Sequence, residues 1–215
     1  MLVAVGCLIS NNANASGCAS TSDQSPAAPV ALREFVDRLR AATQVRDAAY
    51  IRRASAADIR VDFGGAVGLK SLHLTDPGAV IWSRLKRALS LGCRSKPSIL
   101  KPDVWECPGL PAPPPEMGSI EEMVYVAAEN VPLRERPSKT APLVARASCE
   151  FAVLEDFDRR GGKGTPLHLD WRSVRLGRNV AGYVESKYIW PLLGDRVVIE
   201  RRSGRWVMTA IVAGD

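Results

Sequence analysis

From Val124 to Tyr188 the chain is cut into short apolar runs by turn-forming residues. That punctuation constrains the fold more than any other feature. Val131 and Leu133 open an apolar–polar alternation that runs into charged residues, the period of a half-buried strand. Arg136-Pro137-Ser138 ends it, because proline fixes φ and has no N–H to give a ladder. Further runs follow at Leu143–Ala145, Phe151–Leu154, Trp171–Leu176 and Val180–Val184. A charged, glycine-rich loop at 158–164 and a turn at Gly177-Arg178-Asn179 separate them. Ser186 to Ile189 closes the series. Five short strands at close spacing predict a small antiparallel barrel.

The same residues resemble the bacterial SH3-like (SH3b) domain family. The family's opening strand, roughly N-V-x-L-R-x-x-P-S, is matched by Asn130-Val131-Pro132-Leu133-Arg134-Glu135-Arg136-Pro137-Ser138. Its later pattern is matched in order and spacing by Trp171, Val174, Gly182-Tyr183-Val184 and Tyr188-Ile189. The likeness covers about a third of the 215 residues. The departure is 158–170, a basic, glycine-rich insertion where the family has a short turn. The resemblance implies a binding or scaffolding module of an exported bacterial protein, with peptidoglycan or a protein or peptide as partner. Tyr125, Arg134, Trp171, Tyr183 and Tyr188 are then the candidate ligand-binding residues. Each aromatic among them also has a plain packing role open to it. Arg134 is either paired with a carboxylate or solvated on its strand.

Residues 1–28 form a signal-like segment and linker. Met1 to Ile9 is apolar but too short to span a bilayer as a helix. Ala13-Asn14-Ala15 has the form of a cleavage site, and Ala15-Ser16-Gly17-Cys18 that of a lipoprotein box. The expectation is a periplasmic or otherwise exported protein. It is soluble, or membrane-anchored as a lipoprotein if Cys18 carries a lipid; a disordered cytosolic N-terminus is the remaining reading.

Residues 29–109 read as an α+β domain. Leu32, Phe35, Val36 and Leu39 recur at helical spacing, and 47–53 continues as a second short helix. Ile59, Val61 and Phe63 alternate as a strand ending at Gly64-Gly65, where glycines permit a tight turn rather than forming a phosphate loop. Asp76-Pro77 predicts a helix start, with Asp76 as N-cap and Pro77 as first helical residue. Ile81, Trp82, Leu85, Ala88 and Leu89 make that helix's apolar face, and Gly92 is its stop. Residues 110–122 are a proline-rich linker, and 123–192 the barrel. Residues 193–215 predict a hairpin whose Trp206, Met208, Ala210 and Val212 share one face. A lone hairpin is unstable in water, so this one is expected to complete the sheet of the N-terminal domain. The fold class is therefore α+β, an N-terminal α+β domain completed by the C-terminal hairpin plus a small antiparallel SH3-like barrel. Helices first and a terminal strand are similar to uncharacterised exported bacterial proteins with SH3-like domains. They are more faintly similar to the curved-sheet cone of nuclear-transport-factor-2-like proteins, although few long strands precede the linker.

Cys93 and Cys107 flank a proline-containing segment and are a candidate disulfide in an exported protein. Cys149 reads as a small buried residue. No metal or cofactor is expected, since there is no C-x-x-C and only His73 and His168 are present. The net charge of +6 allows weak attraction to anionic polymers but carries no pattern specific for nucleic acid. The partner expected is peptidoglycan or an envelope protein, with membrane contact only through a lipidated Cys18. The function expected is non-enzymatic binding or scaffolding in the cell envelope. The alternative is a cell-wall hydrolase, or an accessory to one, with its site in the N-terminal domain. Asp62, His73 and Glu106 are the residues such a site would draw on, although no spacing joins them.

Overall fold

The computed structural model describes Cys18 and residues 28–62, 64–96, 103–155 and 170–213. Apart from Cys18 and Ala28, the signal-like segment lies outside these residues, as do Phe63, His168 and the 158–170 insertion except Asp170.

Helix α1 (Val30–Gln44) buries Leu32, Phe35, Val36 and Leu39, the stripe its spacing predicts. Helix α2 (Ala48–Ala54) starts where Asp47 accepts a hydrogen bond from the Tyr50 N–H at 2.9 Å. Strand β1 (Ser55–Val61) follows directly, and β2 (Ala66–Val67) folds back on it antiparallel. Helix α3 (Val80–Ala88) buries Ile81, Trp82, Leu85 and Ala88. It differs from expectation at both ends. Asp76 accepts from the Gly78 N–H at 2.8 Å, and the Ala79 N–H donates to the Asp76 carbonyl, so residues 76–79 form a turn before the helix. Asp76 therefore serves its own turn rather than capping α3. The helix ends at Ala88 with Leu89 as its C-cap, ahead of Gly92. Two strands follow, β3 (Arg94–Ser95) and β4 (Val104–Cys107), paired antiparallel.

The next seven strands form a second, all-antiparallel sheet. They are β5 (Met123–Val126), β6 (Val131–Arg134), β7 (Leu143–Ala147), β8 (Glu150–Leu154), β9 (Trp171–Leu176), β10 (Val180–Glu185) and β11 (Ile189–Pro191). Their order is β11-β5-β8-β9-β10-β6-β7. Two of them, β5 and β11, lie at the margins of the predicted five. Alternate residues of all seven strands, among them Val126, Leu133, Ala147, Leu154, Val174, Val184 and Ile189, meet in one buried cluster. A flat sheet could not bring its two end strands to one core, so this sheet is strongly curved.

The chain then returns to the first sheet through β12 (Asp195–Arg202) and β13 (Arg205–Ala213). The six-stranded order is β2-β1-β13-β12-β4-β3, with β13 parallel to β1 and the other pairs antiparallel. The hairpin thus lies in the middle of the sheet. The three α-helices cover one face, and their apolar residues share a core with Ile59, Trp105, Cys107, Val197, Ile199, Met208 and Ile211.

The predicted hairpin face holds only halfway. Val198 pairs with Ala210 but Ile199 pairs with Met208, so Thr209 is an extra residue in β13. Such a bulge shifts the alternation by one. Met208 faces the core ahead of it and Ile211 beyond it, while Ala210 and Val212 do not.

A third apolar cluster fills the seam between the sheets. Leu91, from the segment after α3, meets Met123, Tyr125, Ala127, Trp190 and Leu192 there. Cys18 joins this cluster through a disulfide to Cys149, and a second disulfide links Cys93 to Cys107.

Candidate functional site

Arg134 and Tyr183 stand directly opposite each other across β6 and β10. Tyr183 is also opposite Ser173, and Glu185 opposite Trp171, across β10 and β9. Directly opposed residues project from the same face of an antiparallel pair. Arg134, Trp171, Ser173, Tyr183 and Glu185 therefore share the outer face, while their neighbours Leu133, Val174 and Val184 point into the core. Gly182 makes the crossing possible, because a Cβ there would lie 3.0 Å from the Arg134 carbonyl oxygen. Trp171 and Tyr183 are partly exposed. Among the described residues Arg134 pairs with no carboxylate, and it is partly buried on its strand. Its Nη1 donates to the Ala141 carbonyl at 2.8 Å, and its Nε–H is buried without a partner.

The other two candidate aromatics lie elsewhere. Tyr125 is only 4% exposed and packs in the seam, its ring 5.0 Å from that of Phe151. Burial raises its hydroxyl pKa above the ordinary tyrosine value. It is a packing residue rather than a rim residue. Tyr188 sits in a 3-10 turn, packed against the second sheet's core. Lys187 lies over its ring at 4.7 Å and pairs with Glu185 at 2.8 Å.

The sulfur of Cys18 is bonded to that of Cys149. A lipid thioether would need the same sulfur, so a lipidated Cys18 is incompatible with this structure. Cys149 is likewise a disulfide half rather than a free buried thiol. Cys93 and Cys107 pair as their spacing suggests.

The residues an N-terminal hydrolase site would draw on are already engaged or apart. Asp62 accepts from Arg84 at 2.7 Å, and Arg84 also reaches Asp195 at 2.6 Å. Those two carboxylates raise the Arg84 pKa against the opposing effect of its burial. Glu106 pairs with Lys96 at 3.0 Å. His73 is exposed, in the left-handed region with φ 48°, at the end of a short 3-10 turn rather than on a strand edge. Among the described residues no group of three or more His, Cys, Asp or Glu is placed to hold a metal.

A cleft of about 460 Å³ opens between the two sheets, and sequence reasoning did not anticipate it. Arg87, from the last turn of α3, reaches across the seam. Its Nη2 donates to the Ile189 carbonyl at 2.7 Å, and its guanidinium lies 5.3 Å from the centre of the Trp190 ring. Burial lowers its pKa below the ordinary arginine value, with Asp195 opposing the shift. Arg94, Lys96 and Arg196 line the same cleft, beside Leu110, Ile120 and the prolines of 108–113. The signal available in sequence was slight. Arg87 reads as an ordinary exposed helix residue, and Trp190 as the residue after a strand motif.

The two sheets and three helices thus define an α+β protein held by two disulfides. No family model matches the chain. No curated protein matches it. Among solved structures it overlays on Rd1NTF2_05, a chain carrying five substitutions, with a TM-score of 0.31 at 10% identity, over 85% of this chain and 96% of that one. It also overlays on an NTF2-like protein with a cystatin-like fold from Novosphingobium aromaticivorans. There the TM-score is 0.28 at 10% identity, over 85% of this chain and 77% of that one. Both overlaps are loose.

Proposed function

We propose that this is an exported, non-enzymatic binding or scaffolding protein of the cell envelope. Its curved seven-stranded sheet serves as an SH3-like module that contacts peptidoglycan or a protein partner. The observation that carries this reading is the outer face on which Arg134, Tyr183 and Trp171 stand together, partly exposed, over a fully packed core. Aromatic rings beside a cationic group suit a polar polymer or peptide with apolar ridges. Two disulfides are consistent with an oxidising, extracytoplasmic setting.

The test is co-sedimentation of the oxidised chain, with Cys18 retained, on purified bacterial wall sacculi at low and moderate salt. Binding that persists at moderate salt and falls at least tenfold in a Trp171→Ala/Tyr183→Ala double variant supports wall recognition by this face. Binding lost with salt means only that a basic chain met an acidic polymer. No sedimentation at either salt turns the reading to a protein partner, sought by pull-down from an envelope extract with the same double variant as control.

A further inference from the structure

We propose that the cleft between the two sheets is a second binding site, for a small organic carboxylate whose charged end sits on Arg87. This goes beyond the outer-face reading and shares no residue with it.

Arg87 is held for such a role. Its guanidinium carbon lies over the Trp190 ring, 5.3 Å from the centroid, and one hydrogen bond to the Ile189 carbonyl tethers it. A guanidinium has five N–H donors, so most remain. Among the described residues it has no ion-pair partner. The other charges around it are engaged: Lys96 with Glu106, Asp195 with Arg84, and Arg94 and Arg196 with backbone carbonyls. Four cationic side chains line the cleft against two carboxylates, so its potential favours an anion. A pre-oriented guanidinium edge matches a carboxylate in a two-point contact. One carboxylate fills the open edge of Arg87, and the carboxylates of Glu106 and Asp195 in the same cleft disfavour a second negative charge. The remaining wall is apolar, built from Leu110, Pro111, Pro113, Ile120 and Leu192. Its volume is that of an ordinary small-molecule pocket. The ligand this selects has one carboxylate and a compact apolar body.

Octanoate is the probe, measured by calorimetry and tryptophan fluorescence on the oxidised full chain, against acetate and 1-octanol. Octanoate is expected to bind, to bind at least tenfold tighter than 1-octanol, and to lose about fourfold in affinity per methylene removed. Arg87→Gln should cost octanoate ten- to a hundredfold and leave 1-octanol unchanged. Because Arg87 also supports the seam, Ile120→Asp provides an independent check. Ile120 is 43% exposed at the rim, so the substitution should spare the fold while placing a negative charge at the mouth. It takes a piece of apolar wall from both ligands, so it should weaken both, and octanoate at least threefold more than 1-octanol. Equal affinity for octanoate and 1-octanol, indifference of a folded Arg87→Gln or Ile120→Asp chain, or no octanoate binding at millimolar concentration overturns the proposal. Wall co-sedimentation should be unaffected by either variant, so the two sites can fail separately.

Discussion

Thr209 occupies the position where β12 and β13 fall out of step, and its hydroxyl is buried with no hydrogen-bond partner. An unsatisfied buried hydroxyl is a cost, and removing it while keeping the shape recovers that cost. Thr209→Val should therefore leave stability unchanged or raise it by up to about 1 kcal/mol, read as a shifted urea midpoint with the slope unchanged. Two glycines carry the opposite sign. A Cβ on Gly109 would lie 2.7 Å from the Arg94 backbone nitrogen, beside the Cys93–Cys107 disulfide. A Cβ on Gly182 would push β10 away from β6 at the one register position they share. Gly109→Ala and Gly182→Ala should each cost about 1–3 kcal/mol, the range for overpacking against a well-packed neighbour. Thermal unfolding measures it, and unchanged melting temperatures would mean that the backbone yields at these crossings. Arg84 is a charged residue whose loss should be felt. It is only 13% exposed and holds Asp62 and Asp195 together. Arg84→Met leaves two carboxylates facing each other without their shared cation. Asp62 is 55% exposed and Asp195 24%, so solvent screens part of the network; a loss of about 1–2 kcal/mol is expected, and Asp195→Asn in the same background should restore part of it.

At the scale of elements, the C-terminal hairpin decides whether the first sheet exists. β13 lies between β1 and β12, and β12 between β13 and β4. Without them, β1 keeps only β2 and β4 only β3 as ladder partner, and the helices lose Val197, Ile199, Met208 and Ile211 from the core they share. A chain ending at residue 194 should therefore lose the cooperative unfolding of the α+β part while the second sheet keeps its strand signal. Circular dichroism and hydrogen exchange separate the two outcomes, and a truncated chain with full helical content would show the sheet standing without its centre. That the hairpin must dock is legible in its two alternating runs around Ser203-Gly204. Where it docks is not, because pairing partners far apart in the chain leave no periodic mark on either segment. The bulge is hidden for the same reason: it is a mismatch between two strands, set by how β13 pairs with β12.

For the whole molecule, the two disulfides act over very different lengths of chain. Cys93 and Cys107 are 14 residues apart, whereas Cys18 and Cys149 are 131 apart. Loop-closure entropy puts the first at about 3 kcal/mol and the second at about 5 kcal/mol, in the chain-entropy account of disulfide stabilisation. Cys18→Ser/Cys149→Ser should accordingly lower stability more than Cys93→Ala/Cys107→Ala. Each pair should leave part of the melting-temperature drop that dithiothreitol causes in the native chain, and the quadruple variant should show none. The longer bridge also holds Cys18 in the seam, in one cluster with Tyr125 and Trp190.

By itself the sequence determined what is local. The apolar stripe of α1, the presence of a second short helix after it, the alternation of β6 and β9, and the Cys93–Cys107 pairing all rest on residues within a few helical turns, one pleat or one short loop. The shared face of Arg134, Trp171 and Tyr183 was named as a set of candidate residues, although their register was not. Only the tertiary structure decided the rest: the burial of Tyr125, the Cys18–Cys149 bond, the bulge at Thr209, and the meeting of Arg87 with Trp190 over a cleft. Each of these joins segments far apart in sequence. Such contacts are set by which apolar faces can be buried against one another at once, a choice that belongs to the packed chain as a whole and that no window of residues encodes.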